Sequence, residues 1–87
     1  MTIFKYDLPA DFGPFAIPMP AGATILHIAA QHDSGMLWSK VDADAKLVAR
    51  DFVAVPTGGD VPKAGTYLGT FSSVGGRYVH HIFEVTK

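Results

Sequence analysis

Histidine is the residue type here with the widest chemical range, and His27, His32, His80 and His81 are four of the 87 residues. His80 and His81 are chain neighbours, so on a strand their side chains point to opposite faces. His27 and His32, five apart, also differ in parity on an extended chain. No His-x-His or His-Glu-x-x-His spacing is present. A tetrahedral metal site would need one histidine from each pair plus a carboxylate such as Asp51 or Glu84. The histidines therefore read as structural or surface residues, and no metal is expected. Ser34, Ser39, Ser72 and Ser73 could serve a hydrolase, but none sits in a Gly-x-Ser-x-Gly elbow. Ser72 and Ser73 read instead as strand and turn residues. With no cysteine there is no disulfide, no thiolate zinc site and no Cys nucleophile. The expectation is a protein that is not an enzyme and carries no cofactor.

Binding chemistry has more candidates. Thr57-Gly58-Gly59-Asp60 with nearby Lys63 has the look of a phosphate cradle, yet the Gly-x-x-x-x-Gly-Lys-Ser/Thr order is missing and no helix follows. It reads as a mobile loop. If it holds a ligand, such as a nucleotide signal, the amides of Gly58 and Gly59 are the donors, with Arg50, Arg77 and the histidines supporting. Ten aromatic residues are too many for so small an interior. Trp38 and the tyrosines, each with a polar tip, are candidates for an exposed partner surface. Acidic residues gather around the middle of the chain, and Trp38, Tyr67, Asp42, Asp44 and Asp60 make the expected partner-binding set, an aromatic patch with an acidic rim. Basic and aromatic residues interleave only at Arg77-Tyr78, and the formal charge is -1, so no direct nucleic-acid contact is expected. The apolar runs fall well short of the ~20 residues that cross a bilayer. Met1 to Asp7 reads as neither a signal peptide nor a basic presequence, so an intracellular chain is expected.

These residues must be positioned by short elements. Nine glycines and six prolines cut the chain into pieces too brief for capped helices. The pieces are rich in Ile, Val, Phe, Tyr and Thr, which suit a pleated surface. Seven strands are predicted, over 2–8, 15–19, 24–31, 36–41, 47–55, 66–73 and 77–85. Pro18 makes the second an edge or irregular strand. The third, apolar on both parities, is predicted to be central and covered on both faces. His32-Asp33-Ser34-Gly35 is expected to turn with a positive φ at Gly35, and Gly75-Gly76 to form a primed hairpin turn. The fold class is all-β: one domain over residues 1–87, with about seven mostly antiparallel strands in a meander that curls into a small barrel or a two-layer sandwich. A core this small is thin. A homodimer is expected, paired through an edge such as Phe15 to Met19 or through the last strand.

Several stretches together resemble a family of small uncharacterised proteins encoded by bacteriophages and prophages. They are Lys5-Tyr6-Asp7-Leu8-Pro9, Met19-Pro20-Ala21-Gly22-Ala23-Thr24-Ile25-Leu26-His27, Gln31, Leu37-Trp38 with Val41-Asp42, Thr57-Gly58, Tyr67-Leu68-Gly69-Thr70-Phe71 and Val79-His80-His81-Ile82-Phe83-Glu84. The family pattern often carries an aromatic where His80 or His81 stands. The resemblance implies no catalytic residues. It implies a phage accessory protein acting in the cytoplasm of the bacterial host by occupying a surface on a host protein complex, in the manner of inhibitors of CRISPR-Cas effector complexes. The alternatives are a binder of a nucleotide signal and a minor phage structural or assembly protein.

Overall fold

A strand with one buried face alternates apolar and polar residues, and β4 (Ser34–Val41) shows why this chain pleats as it does. Gly35, Leu37, Ser39 and Val41 are buried, while Met36, Trp38 and Lys40 point outward. The computed structural model describes residues 1–86, with six further strands: β1 (Thr2–Asp7), β2 (Gly13–Pro20), β3 (Thr24–Gln31), β5 (Leu47–Pro56), β6 (Gly65–Ser73) and β7 (Tyr78–Val85). There is no helix among the described residues, hence none long and apolar enough to cross a membrane. All seven strands pair antiparallel in two sheets, ordered β1-β4-β3 and β2-β5-β7-β6. The sheets do not close into a barrel. They stack as a sandwich whose thinnest dimension is 16 Å.

One core fills the space between the layers. Ile17 and Met19 of β2, Phe52 and Ala54 of β5, Phe71 of β6 and Ile82 of β7 meet Ile28 of β3 and Leu37 and Val41 of β4. Ser39 is the polar exception on the inner face of β4, and its hydroxyl donates to the Thr24 carbonyl at 3.1 Å. Gly35 is small because the Phe71 ring lies directly over it, where a Cβ would collide.

Four expectations are corrected. The third strand is not central: β3 ends its sheet, and Leu26 is 49% exposed. Its unbroken apolar run reflects a bulge between Ile25 and His27, which shifts the alternation partway along. The chain is not a simple meander, because β1 pairs with β4 and β2 with β5. A strand carrying Pro14, Pro18 and Pro20 can only border a sheet, and β2 does so beyond β5. The last strand, β7, lies between β5 and β6 and offers no free edge. In the turn after β3 the left-handed residues are His32 (φ 53°) and Asp33 (φ 64°), while Gly35 belongs to β4. The β6–β7 turn matches expectation, with positive φ at both Gly75 and Gly76 and the Arg77 amide donating to the Val74 carbonyl.

Candidate functional site

Pro56 ends β5, and the four residues after it fold back over the outer face of the four-stranded sheet. The Gly59 amide donates to the Pro56 carbonyl at 2.9 Å, and Gly58 takes φ 91°. Beneath this loop the β6–β7 register sets Thr70 opposite His81 and Tyr67 opposite Phe83, while β5 sets Val55 opposite His81. A bulge between Tyr67 and Gly69 accompanies a Tyr67 hydroxyl bonded to Thr70 Oγ1 at 2.6 Å. Thr70 Oγ1 lies 3.0 Å from His81 Nδ1, and His81 Nε2 lies 2.8 Å from Thr57 Oγ1. Tyr67, Thr70, His81 and Thr57 thus form one chain of hydrogen bonds from β6 across β7 to the loop. Such a chain holds the imidazole in place and ties the loop to the sheet.

The relay borders a groove of about 220 Å³ lined by Val55, Val61, Phe83, Gly58, Gly59 and Tyr67. Its floor is apolar and its wall carries hydroxyls, the combination that orients an occupant while burying its apolar part. The volume suits a side chain or a small group. Across Thr57 a second groove of about 250 Å³ runs between Phe12, Arg77, Tyr78 and Val79. A larger hollow, about 340 Å³, lies over Pro14, Phe15, Phe52, Val53 and Val85, with Asp51 also in its lining.

The residues singled out from sequence fall in several places. Tyr67, Gly58 and Gly59 line the first groove, and Asp60 stands on the same loop between Gly59 and Val61. Arg77 borders the adjoining groove. Trp38 projects from the outer face of the other sheet, beside His27 with ring centroids 5.9 Å apart. Asp42 and Asp44 occupy the β4–β5 turn, where the Asp44 amide donates to Asp42 Oδ1 at 3.1 Å. No single face therefore holds Trp38, Tyr67 and all three aspartates.

Arg50 is turned inward. Sharing parity with Phe52, it enters the rim of the core, where Nε and Nη2 donate to both Glu84 carboxylate oxygens at 2.5 and 2.9 Å and Nη1 donates to the Ala23 carbonyl at 2.7 Å. Hydrogen bonding to Glu84 pushes its pKa above the ordinary value, with the Glu84 charge adding to the rise and partial burial opposing it. The guanidinium is committed to the fold and does not reach the grooves.

His80 is likewise structural. Its ring is stacked between Phe12 and Phe71, with centroids 4.4 and 4.5 Å away, and Nε2 donates to the Ala10 carbonyl at 3.0 Å. No three His, Cys, Asp or Glu side chains stand together as a metal site among the described residues. Sequence reasoning did not single out Thr57, Thr70 and His81 as a unit. A signal was available: the Gly75-Gly76 turn fixes the hairpin register, and that register sets Thr70 against His81.

No curated protein and no solved structure matches the chain. A family does, over its whole length: residues 1–87 match the domain of unknown function DUF7352, and the chain belongs to that family.

Proposed function

We propose that this chain is a non-catalytic binding module whose working surface is the outer face of the four-stranded sheet, around Tyr67 and the Gly58-Gly59-Asp60 loop. The observation that carries this reading is Tyr67 itself. It is 57% exposed, yet its hydroxyl is bonded to Thr70 and its ring packs edge-on against Phe83 at 5.6 Å. An exposed aromatic held rigid in this way loses little entropy on binding, which favours it as an anchor for a protein partner. Exposed Val61 lines the same groove as an apolar neighbour, and exposed Asp60, between Gly59 and Val61 on the loop, supplies an acidic charge for the rim. The partner we infer is a host protein complex in the bacterial cytoplasm. The finer reading, a phage-encoded inhibitor of a CRISPR-Cas effector complex, is supported by the sequence resemblance described above.

The test is affinity capture from bacterial lysate with tagged wild type, Tyr67→Ala, Asp60→Lys and Trp38→Ala. A stoichiometric protein should be recovered by wild type and by Trp38→Ala, whose change lies on the opposite face. Its recovery should fall by on the order of tenfold or more with Tyr67→Ala, the scale of an anchor residue, and less with Asp60→Lys. Equal recovery by Tyr67→Ala overturns the assignment of the surface. Recovery of no protein, with a small molecule retained on the purified chain by mass spectrometry, overturns it in favour of a ligand held beside His81.

A further inference from the structure

We propose that β1 is a docking edge for a second copy of this chain, the two β1 strands pairing antiparallel across a two-fold axis at Tyr6.

The two open sheets have four edges, β1, β3, β2 and β6. Two of these cover each other: β3 lies against β6 so closely that a Cβ on Gly69 would stand 2.9 Å from Ile28 Cβ. A third is blunted, because three of the eight residues of β2 are prolines with no amide to donate. β1 has no proline and no bulge, and among the described residues only β4 pairs with it. It also leaves apolar surface in solvent, with Ile3 59% and Phe4 38% exposed. A strand edge of this kind is a template for another strand.

The β1–β4 ladder shows which backbone groups are available. The Leu8 amide donates to the Gly35 carbonyl, so residues of even number turn their amides and carbonyls toward β4. Those of Ile3, Lys5 and Asp7 therefore point away from the sheet. A two-fold pairing keeps each side chain on its own face, so odd residues meet odd residues. With Lys5 on the axis, two ammonium groups would oppose each other. With Phe4 on the axis, Lys5 would face Ile3. With Tyr6 on the axis, each Lys5 faces the Asp7 of the second copy, giving two reciprocal ion pairs, and Phe4 lies opposite Leu8 on the inner face. Only this register satisfies both charges, which is why the occupant is a copy of the chain. Lys5 donates to Gln31 of β3 at 2.7 Å, on the side of β1 away from the free edge, and its long exposed side chain exchanges that bond for the new carboxylate when the second copy docks. The product is a continuous six-stranded sheet.

Sedimentation velocity over a concentration series tests this with wild type, Lys5→Glu, Asp7→Lys and the double swap Lys5→Glu/Asp7→Lys. Lys5 and Asp7 are both exposed, so all four chains should fold, checked by circular dichroism. Wild type should show a monomer–dimer equilibrium. Each single change places like charges opposite one another and should raise the dissociation constant on the order of tenfold. The double swap should restore it to near wild type. Wild type that stays monomeric at high micromolar concentration overturns the proposal. So do single variants that dimerise as well as wild type, or a correctly folded double swap that fails to recover.

Discussion

Arg50 shows how one side chain can look like a ligand-binding cation and be a structural one. An arginine amid a strand of Val, Ala and Phe has two options, to face solvent or to find partners at the rim of the core. Parity with Phe52 sends it inward, and Glu84, opposite Phe52 in the β5–β7 register, provides the carboxylate. Arg50→Met keeps the apolar stem but removes three hydrogen bonds and leaves Glu84 half-buried without this cation. Bonds to charged groups of this sort are worth about 1.5–3 kcal/mol together once solvent access is allowed for. Urea unfolding of Arg50→Met should accordingly lose about 2 kcal/mol, while partner capture through Tyr67 is retained. A loss below about 0.5 kcal/mol, the level of an ordinary surface substitution, would show that the pair contributes only locally. His80 carries a related lesson: its place in this fold is a slot between two phenyl rings, and an imidazole fills it with one polar tip bonded to Ala10.

Elements were the most legible level of the sequence, and the reason is physical. All seven strands fall where alternation and Gly or Pro punctuation place them, because both signals are local. Neighbour relations were less legible. Proline on β2 correctly signals an edge, but nothing local tells β1 to reach β4 or β7 to lie between β5 and β6. The bulge in β3 misled most, since it presents an apolar run that an unbulged strand would show only if covered on both faces. At the candidate site, the loop and Tyr67 were visible as residue types. Their relay through Thr70 and His81 depends on hairpin register and on the fold-back after Pro56, neither of which residue identity announces. Gly35 belongs to this scale as well, because its want of a side chain lets β4 lie under Phe71 of β6 and joins the two sheets. Gly35→Ala should force that ring aside and cost about 1–3 kcal/mol, as overpacking does. Denaturation measures the loss, and Phe71→Leu in the same background should recover part of it. If Gly35→Ala were neutral, the close approach of β4 and Phe71 would not be a constraint on the fold.

Taken whole, the molecule has its main core between two small sheets, and both sheets contribute to it. Ile28, Leu37 and Val41 from the three-stranded sheet are buried in one cluster with Ile17, Met19, Phe52, Ala54, Phe71 and Ile82 from the four-stranded one. A two- or three-stranded sheet without such a backing is marginal in water. The layers should therefore form and melt together in one cooperative transition, as small single domains usually do. Trp38 offers a probe for the three-stranded sheet alone, since it is the one tryptophan and lies on that sheet's outer face. Far-UV circular dichroism reports both sheets. In urea the two signals should trace superimposable curves with the same midpoint and slope. A fluorescence change that precedes the loss of circular dichroism would mean that β1, β3 and β4 detach while β2, β5, β6 and β7 persist, and the shared core would then not be what couples the layers. The same coupling bears on function. The Tyr67 surface lies on one layer and the β1 edge on the other, so a partner that binds the first stabilises the second only through this core.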